Sequence, residues 1–375
     1  MINRFIKYNL ILALIIIINA LSVIFQPLNQ LYVHIIMPLL AVFIILKHTY
    51  IFRDKLLQWY TIFTISFIFI SLFGENFHNT INALPLFINT YLVVLVTTTL
   101  SRNYRYINCY FMFYFLYLIA CLYVGVNSVD NLDITSTRLD STEMNANRYG
   151  YFLFFLVFVC YILGEISYNH KKLWRIIFLT SPIPVLFISL ITASRQILLI
   201  MVPFIIILMI RRYFLKLNHT IIIKTFLVIL LGILITPYVH NLYQTSYLNE
   251  RMNENVLEDS RSGLIIDAIK IGLEKPITGV GLGNLDFLSH CSYSDIIAEG
   301  GIFVFIIYTG MLIFFCHMQL KRYRKTRNNI FIVFLIFGIF YMVYNLFFVF
   351  YLFSFIMAYL FIAEQLSKII YNNYK

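Results

Sequence analysis

Length, composition and charge exclude most classes of soluble protein. The chain has 375 residues, of which 61% are hydrophobic and only 12% are charged, whereas a soluble domain is about half apolar and about a quarter charged. This composition excludes a cytosolic globular enzyme, a disordered protein and a disulfide scaffold. The net charge of +11 lies in short basic clusters between apolar runs, which is typical of membrane topology rather than of nucleic-acid binding.

Apolar runs predict an all-α, polytopic membrane protein with about twelve transmembrane helices, or roughly ten by a conservative count. The predicted spans lie near residues 8–25, 30–46, 57–73, 81–100, 106–126, 149–166, 175–192, 196–210, 220–237, 296–316, 330–345 and 347–364. We interpret the first run as a retained span, because no small-residue cleavage site follows it. The last two spans form a hairpin around Tyr344 and Asn345. The whole chain, 1–375, is predicted to be one membrane domain.

The distribution of basic residues predicts the orientation. With the N-terminus in the cytoplasm, 21 of the 28 lysines and arginines fall in inward-facing segments, which agrees with the positive-inside rule. Both termini are therefore predicted to be cytoplasmic. Two outward-facing segments are long, 127–148 and 238–295, and long loops on a rigid scaffold are where functional residues are expected.

The first long outer loop carries charges of both signs. Arg138 and Arg148 are candidate phosphate ligands, although anchoring at the membrane interface explains Arg148 equally well. Four acidic residues, Asp130, Asp133, Asp140 and Glu143, offer a divalent-cation site as a minor alternative. Carboxylates in a solvated loop are usually only solvated, so no metal site is predicted.

The turn between the seventh and eighth predicted spans contains Arg195, in the sequence Thr192-Ala-Ser-Arg195-Gln196. An arginine in so short a turn between apolar runs is costly unless it snorkels to the interface or meets an anion. Since its guanidinium binds phosphate bidentately, Arg195 is a candidate diphosphate ligand, and simple snorkelling is the alternative.

The second long outer loop contains a predicted amphipathic helix within 257–276. Asp259 or Ser260 can cap it, and Pro276 ends it. Arg261 falls in its first turn, where it is a further candidate for binding phosphate. The apolar face, expected to lie on the membrane surface or on the spans, comprises Leu264, Ile265, Ala268, Ile269 and Leu273.

Three glycines follow in the segment Gly279-Val-Gly281-Leu-Gly283. The segment lacks the preceding strand, the following helix and the glycine spacing of a dinucleotide fingerprint. We interpret these glycines as positions where the backbone takes a tight path at the membrane surface.

His290 lies just ahead of a predicted span. The free N–H groups and the dipole of a helix N-terminus favour anions and disfavour a charged imidazolium, so a neutral histidine here suits a general base. An interfacial histidine without a role is the simpler alternative. Glu299 is expected to orient His290 or an arginine, or only to cap the helix, and Tyr293 is a candidate sugar contact.

Five motifs follow one another along the chain: Asn145-Ala-Asn147-Arg148, Ser194-Arg195-Gln196, Ser260-Arg261-Ser-Gly-Leu, Pro276-Ile-Thr-Gly279-Val-Gly281-Leu-Gly283, and His290-Cys-Ser-Tyr293 with Glu299-Gly300-Gly301. In this order they resemble the motifs of the O-antigen polymerase and ligase superfamily, which are polytopic glycosyltransferases that include the Wzy-type polysaccharide repeat-unit polymerases. The resemblance covers about residues 138–316. Gln196 and Cys291 depart from the usual glycine and asparagine.

The resemblance implies an activity and a site. Polymerases of this superfamily transfer a glycan from undecaprenyl diphosphate to the terminal sugar of a lipid-linked repeat unit, at the outer face of the bacterial inner membrane and without a cofactor or metal. Ligases transfer it to lipid A core instead. The expected site comprises His290 as the catalytic base, Arg195, Arg261, Arg148 and Arg138 as diphosphate ligands, and Glu299, Tyr293 and Asn147 as supporting residues.

The same resemblance implies the partners, and two other classes stay open. Expected partners are undecaprenyl diphosphate-linked oligosaccharides, the lipid bilayer, and chain-length regulator and flippase proteins. A flippase for lipid-linked oligosaccharides would suit the same topology, but the predicted span interiors hold almost no ionisable residues, with His34 the exception. A structural assembly partner would tolerate the loss of His290, whereas an enzyme would not.

Overall fold

A computed structural model describes residues 52–101, 146–166, 171–183, 185–186, 197–214, 243–246, 260–352 and 354–374, together with a few isolated positions elsewhere. The predicted spans near 8–25, 30–46, 106–126 and 220–237, and the first outer loop up to residue 145, lie outside the described residues apart from such positions. The chain divides into two units, Met1–Tyr117 with Asp259–Lys375 and Leu118–Glu258.

Every regular element in the described ranges is helical, which confirms the predicted all-α class for this part of the chain. In chain order the helices are α1 (Lys55–Ser71), α2 (Phe77–Leu100), α3 (Ala146–Ile166), α4 (Lys171–Thr180), α5 (Val202–Phe214), α6 (Ser260–Glu274), α7 (Ser292–Thr326), α8 (Ile330–Tyr344) and α9 (Ser354–Asn373). A π-helical turn, Ile197–Met201, leads into α5, and a 3₁₀ turn, Phe350–Leu352, precedes α9. Helices α3 to α5 belong to the second unit and the others to the first.

Two helices in the described residues are long and apolar enough to cross a membrane. They are Phe77–Thr99, within α2, and the 35-residue helix α7. Helix α7 extends beyond both ends of the predicted span 296–316. It begins at Ser292, and the basic segment that follows the span continues the helix to Thr326.

The last predicted span, 347–364, is wrong in its position. Helix α9 begins at Ser354 and ends at Asn373. The residues before it form a turn on Ser292, whose backbone N–H donates to the Asn345 carbonyl at 2.8 Å and whose hydroxyl donates to the Phe348 carbonyl at 2.6 Å. The helix therefore starts only after this turn is complete.

Aromatic rings fill the interior of the first unit. The ring centroid of Phe63 in α1 lies 5.1 Å from that of Tyr308 in α7, and Phe67 lies 5.1 Å from Phe87 in α2. Phe67 also contacts Tyr351 of the 3₁₀ turn at 5.8 Å. Each such pair contributes about 0.5–1.5 kcal/mol beyond the burial of its area. Helix α1 is thus fixed against three other elements.

Buried charges gather at one end of the first unit. We call this the charged end, and it comprises Asp54, Gln319, Arg322, Glu364, Gln365, Ser367 and Lys368. The Arg322 guanidinium binds Glu364 with two hydrogen bonds, Nη1 to Oε2 at 2.7 Å and Nη2 to Oε1 at 2.5 Å, and these side chains are 5% and 3% exposed. Burial alone would raise the pKa of Asp54, but the charge of Lys368 and hydrogen bonds from Lys368 and Gln365 lower it below its usual value.

The opposite end of the first unit is formed by loops. This loop end comprises the α1–α2 turn, residues 275–291 and the turn before α9. Lys275 pairs with Glu75 at 2.5 Å, and the Asn284 amide donates to the Thr80 hydroxyl at 3.1 Å.

Removing one partner of the buried ion pair should destabilise the protein. Replacing Arg322 by Met leaves the buried Glu364 carboxylate with only the Gln319 amide and, at 3.5 Å, the Lys368 ammonium as partners, so a loss of up to about 3–5 kcal/mol is expected. The double variant Arg322→Met with Glu364→Gln should recover much of that loss. Thermal unfolding of the purified protein in detergent measures the effect, with the exposed Lys321→Met as the control. Equal Tm values for Arg322→Met and Lys321→Met would contradict this account.

Candidate functional site

Helix α7 is broken near its beginning by Gly301. The φ of 73° and ψ of 179° at this residue are open to glycine but strained for any other residue. A Cβ here would lie 2.6 Å from the Ile277 carbonyl oxygen and 2.8 Å from that of Pro276. The break separates a short first segment, 292–300, from the longer run 302–326.

The break frees backbone groups, and the preceding loop pairs with them. In a continuous helix the Ile302 N–H would donate to the Ala298 carbonyl. Here it donates to the Pro276 carbonyl at 2.8 Å, and the Ala298 carbonyl accepts from the Val280 N–H at 2.8 Å instead. We call this arrangement the kink exchange. Because unpaired buried backbone groups cost free energy, the loop and the kink stabilise each other.

The loop that takes part in this exchange is the glycine loop, residues 279–283. Gly279, Gly281 and Gly283 have φ values of 61°, 94° and 76°, all in the left-handed region. A Cβ on Gly281 would lie 2.9 Å from the Cα of Gly74 in the α1–α2 turn. The predicted tight backbone path is therefore confirmed, and its cause is the close approach of two backbones.

Glu299 holds the glycine loop from α7. Its backbone carbonyl accepts from the Gly281 N–H at 2.9 Å. Its carboxylate accepts from the Gly283 N–H at 3.0 Å through Oε1 and from the Tyr351 hydroxyl at 2.8 Å through Oε2. Of the roles that the sequence leaves open for Glu299, the geometry supports a positioning role, since this buried carboxylate joins the glycine loop to the 3₁₀ turn before α9.

His290 lies directly before the Cys291 N-cap of α7, as predicted, and its side chain is partly exposed. Its φ of 61° is a positive value that only one other non-glycine residue shares in the described ranges. Such a conformation costs of order 1–3 kcal/mol and is found mostly where surrounding structure enforces it, often at functional sites. The strain marks His290 as a residue held in place.

A buried polar network enforces the backbone conformation of His290. On one side of it, the Ser289 N–H donates to Oδ1 of Asp295 at 3.1 Å, and the Ser289 and Ser294 hydroxyls share a hydrogen bond of 2.7 Å. On the other side, the Cys291 N–H donates to the Ser289 hydroxyl at 3.2 Å. Both neighbours of the histidine are thus tied to the first turns of α7.

Tyr293 has a different environment from the one expected of a sugar contact. Its hydroxyl donates to the Met342 carbonyl of α8 at 2.9 Å, and its ring meets Phe305 edge to face at 6.1 Å. The hydroxyl is engaged in packing α7 against α8. Tyr293 therefore fixes the direction in which α7 leaves the His290 turn.

The predicted amphipathic helix of the second outer loop is present as α6, and it packs on the first segment of α7. Its predicted apolar face is only partly buried within the protein. Ala268 and Gly272 are buried, whereas Ile269 and Leu273 are 37% and 62% exposed. The reason is a close approach of the two helices, because a Cβ on Gly272 would lie 2.4 Å from a methyl carbon of Ile297.

The predicted diphosphate ligands are only partly placed. Arg261 lies in the first turn of α6, in the same unit as His290, and Arg148 and Asn147 lie in the first turn of α3 in the second unit. For these three residues the structure describes the backbone alone. Arg138 and Arg195 lie outside the described residues, as do the acidic residues of the first outer loop.

Sequence reasoning missed the network around His290. Ser289, Ser294 and Asp295 are almost completely buried. The available signal was the density of polar residues directly ahead of an apolar run, because buried polar groups need hydrogen-bond partners and therefore tend to form networks.

Comparison with known proteins adds no family assignment. No protein-family profile matches the sequence, and no curated protein matches it. The class of protein is described by its fold and site alone. In the described residues the chain is all-helical, it has two helices suited to crossing a membrane, and a strained histidine precedes one of them.

Replacing Gly301 by Ala should disrupt the loop end. The added Cβ collides with two carbonyl oxygens and the backbone angles are strained, so the kink exchange should be lost and the protein should become less stable by more than about 1–3 kcal/mol. Gly263→Ala in α6 is the control, because a Cβ there meets nothing within 4 Å. Limited proteolysis between α6 and α7 and thermal unfolding report the effect. Equal protection of both variants would show that the kink does not hold the loop.

Proposed function

We propose that this chain is a membrane glycosyltransferase that polymerises lipid-linked polysaccharide repeat units at the outer face of the bacterial inner membrane. The observation that carries the proposal is the fixed position of His290. It lies at the N-terminus of α7, it has a strained backbone, and a buried network holds it. The motif resemblance supports the same residue as the catalytic base.

The surface of the first unit supports a membrane location. Helix α1 exposes Ile62, Ile65 and Phe69 along one strip, and α7 exposes Phe303 and Ile306, each more than half accessible. Large exposed apolar strips of this kind mark contact with lipid or with another protein. The run 302–326 of α7 is about 37 Å long at 1.5 Å per residue, enough to cross a hydrocarbon core of about 30 Å.

The distribution of charge supports the orientation. The charged end contains Arg322 and Lys368, which the positive-inside rule assigns to the cytoplasm. The loop end, with the glycine loop and His290, then faces outward. Lipid-linked repeat units would reach it from the outer leaflet of the bilayer.

The chemistry assigns one role to the histidine. The hydroxyl oxygen of the acceptor sugar attacks the anomeric carbon of the donor, and the bond from that carbon to the diphosphate oxygen breaks. The proton of the hydroxyl passes to the His290 imidazole, and undecaprenyl diphosphate leaves with the electron pair. As a base, the imidazole must be neutral before the reaction, and the positive end of the dipole at a helix N-terminus favours the neutral form. A single displacement inverts the anomeric centre.

The leaving diphosphate needs cationic ligands. Of the four candidates, Arg261 is the one described in the same unit as His290, in the first turn of α6. Guanidinium groups bind phosphate oxygens bidentately and stay charged, so they stabilise the charge that develops on the leaving group. Arg195, Arg148 and Arg138 complete the proposed diphosphate site.

Replacing His290 by Asn tests the role of the imidazole separately from that of the strained backbone. Asparagine tolerates the left-handed conformation but cannot accept the proton, so the protein should fold while chain growth falls by about 10²–10⁴-fold. The measurement is a complementation gel. The gene is deleted, each variant is restored, and the surface glycan is separated by length. His317→Asn, an exposed histidine of α7, is the matched control.

Two results would overturn this assignment. A full ladder from His290→Asn at equal protein in the membrane would remove the histidine from the reaction. Long lipid-linked polymer that accumulates in the deletion strain without reaching its final acceptor would identify a ligase. The expected outcome is a full ladder from the strain restored with the wild type and single repeat units from the strain restored with His290→Asn.

Replacing Arg261 by Ala should strongly reduce polymer length without loss of protein from the membrane, by about 10²-fold in rate if the guanidinium contacts the diphosphate. Arg261→Lys should recover only part of the activity, since an ammonium group cannot bind bidentately. Lys270→Ala, in the exposed part of the same helix, serves as the control. A ladder from Arg261→Ala equal to that of Lys270→Ala would exclude Arg261 from the site.

A further inference from the structure

An open pocket lies at the loop end, beside the glycine loop. Its volume is about 160 Å³, below the roughly 300–1,000 Å³ of sites for drug-sized ligands, so it suits a single small ring. The polar and aromatic side chains that line it are Glu75, Glu274, Lys275, Asn284, Asp286 and Phe287. They come from the α1–α2 turn, the end of α6 and the segment that leads to His290.

The pocket carries net negative charge. Lys275 is paired with Glu75 at 2.5 Å, which leaves the Glu274 and Asp286 carboxylates without an ion-pair partner in the described residues. An anion such as a diphosphate would be repelled here. Across the described part of the chain, His, Cys, Asp and Glu side chains form no cluster of three that could hold a metal ion, so these carboxylates are not grouped as cation ligands.

Asn284 fixes one wall of the pocket. Its Nδ2 donates to the Thr80 hydroxyl at 3.1 Å, which ties this wall to α2. Its Oδ1 has less than 1 Å² of accessible surface, so it is not open to a ligand. The partly buried ring of Phe287 offers an apolar face on another wall of the pocket.

Carboxylates and an aromatic face together match one ligand class. Sugar hydroxyls and amines donate to carboxylate oxygens, and the C–H face of a pyranose packs on an aromatic ring. We propose that this pocket binds one sugar of the acceptor repeat unit, and that it selects a neutral or amino-bearing sugar and excludes a uronic acid. The word "acceptor" rests on the proposed function, whereas the selection by charge rests on the pocket alone.

The position of the pocket suits an acceptor sugar. His290 is six positions after Asn284 in the chain, which limits the distance between them to about 20 Å even for an extended chain. Both lie at the loop end, and Glu299 holds the start of the connecting segment through Gly283. A sugar in the pocket would thus be anchored near the base, while its diphosphate is directed away from the carboxylates.

Binding of three methyl glycosides to the full-length protein in nanodiscs tests the charge selection. Methyl glucosaminide, methyl glucoside and methyl glucuronide share one ring and differ in charge, and titration by NMR gives their dissociation constants. At low salt, and at a pH where the amine is protonated, we expect the glucosaminide to bind most tightly. We expect the glucuronide to bind at least about tenfold more weakly, because two unpaired carboxylates face the pocket.

Matched variants test the assignment to this pocket. Asp286→Asn should weaken glucosaminide binding about fivefold, since one negative charge is removed. The ratio of the dissociation constants of the glucuronide and the glucosaminide should therefore fall. Asp267→Asn makes the same change on the exposed face of α6, outside the pocket, and should leave all three constants unchanged.

Three results would overturn the proposal: no binding of any glycoside, equal binding of glucosaminide and glucuronide, or equal effects of Asp286→Asn and Asp267→Asn. Its failure is separable from failure of the polymerase proposal, because binding needs no chain growth. If the glycoside series behaves as expected while the His290→Asn strain makes full ladders, the sugar pocket stands and the catalytic assignment falls.

Discussion

The kink exchange at Gly301 is the constraint on which the loop end depends. A helix that continued through this residue would keep its own carbonyls and N–H groups, and the glycine loop would have no backbone partners beside an apolar bundle. Glycine allows the break, and the Ile302 N–H and the Ala298 and Glu299 carbonyls find partners in the preceding loop. Hydrogen bonds that are lost within the helix are thus replaced by hydrogen bonds between the loop and the helix. The position of Glu299 against the loop follows from the same contact.

The strained backbone of His290 depends on the same first segment of α7. A left-handed histidine costs of order 1–3 kcal/mol and persists only because its neighbours are fixed. Ser289 is bonded to Asp295 and Ser294, and these residues lie on the first segment of α7, whose direction Tyr293 and Gly301 set. Precise placement of the imidazole is therefore a property of the segment as a whole. This placement matters for the proposed role of His290 as a base, because proton transfer depends on geometry before it depends on pKa.

The two ends of the first unit differ in whether their charged side chains are paired within the protein. At the charged end, Arg322 and Glu364 satisfy each other with two hydrogen bonds, so their charges lock α7 to α9. At the loop end, the carboxylates of Glu274 and Asp286 are left for a ligand. Between the ends lie aromatic contacts, of which Phe63 with Tyr308 is one. This arrangement suits a bundle whose middle lies in hydrocarbon.

The sequence by itself determined the helical class, the position of His290 before a helix and the tight path of the glycines, because apolar periodicity and glycine content are local signals. Only the tertiary structure decided the rest. The start of α9 depends on a turn that binds Ser292, far away in the chain. The buried face of α6 was set by the close approach of Gly272 to Ile297, which favours small residues over the larger ones that hydrophobicity selects. The roles of Glu299 and Asp295 depend on which partners folding brings within hydrogen-bond distance, and no spacing along a chain encodes such distances.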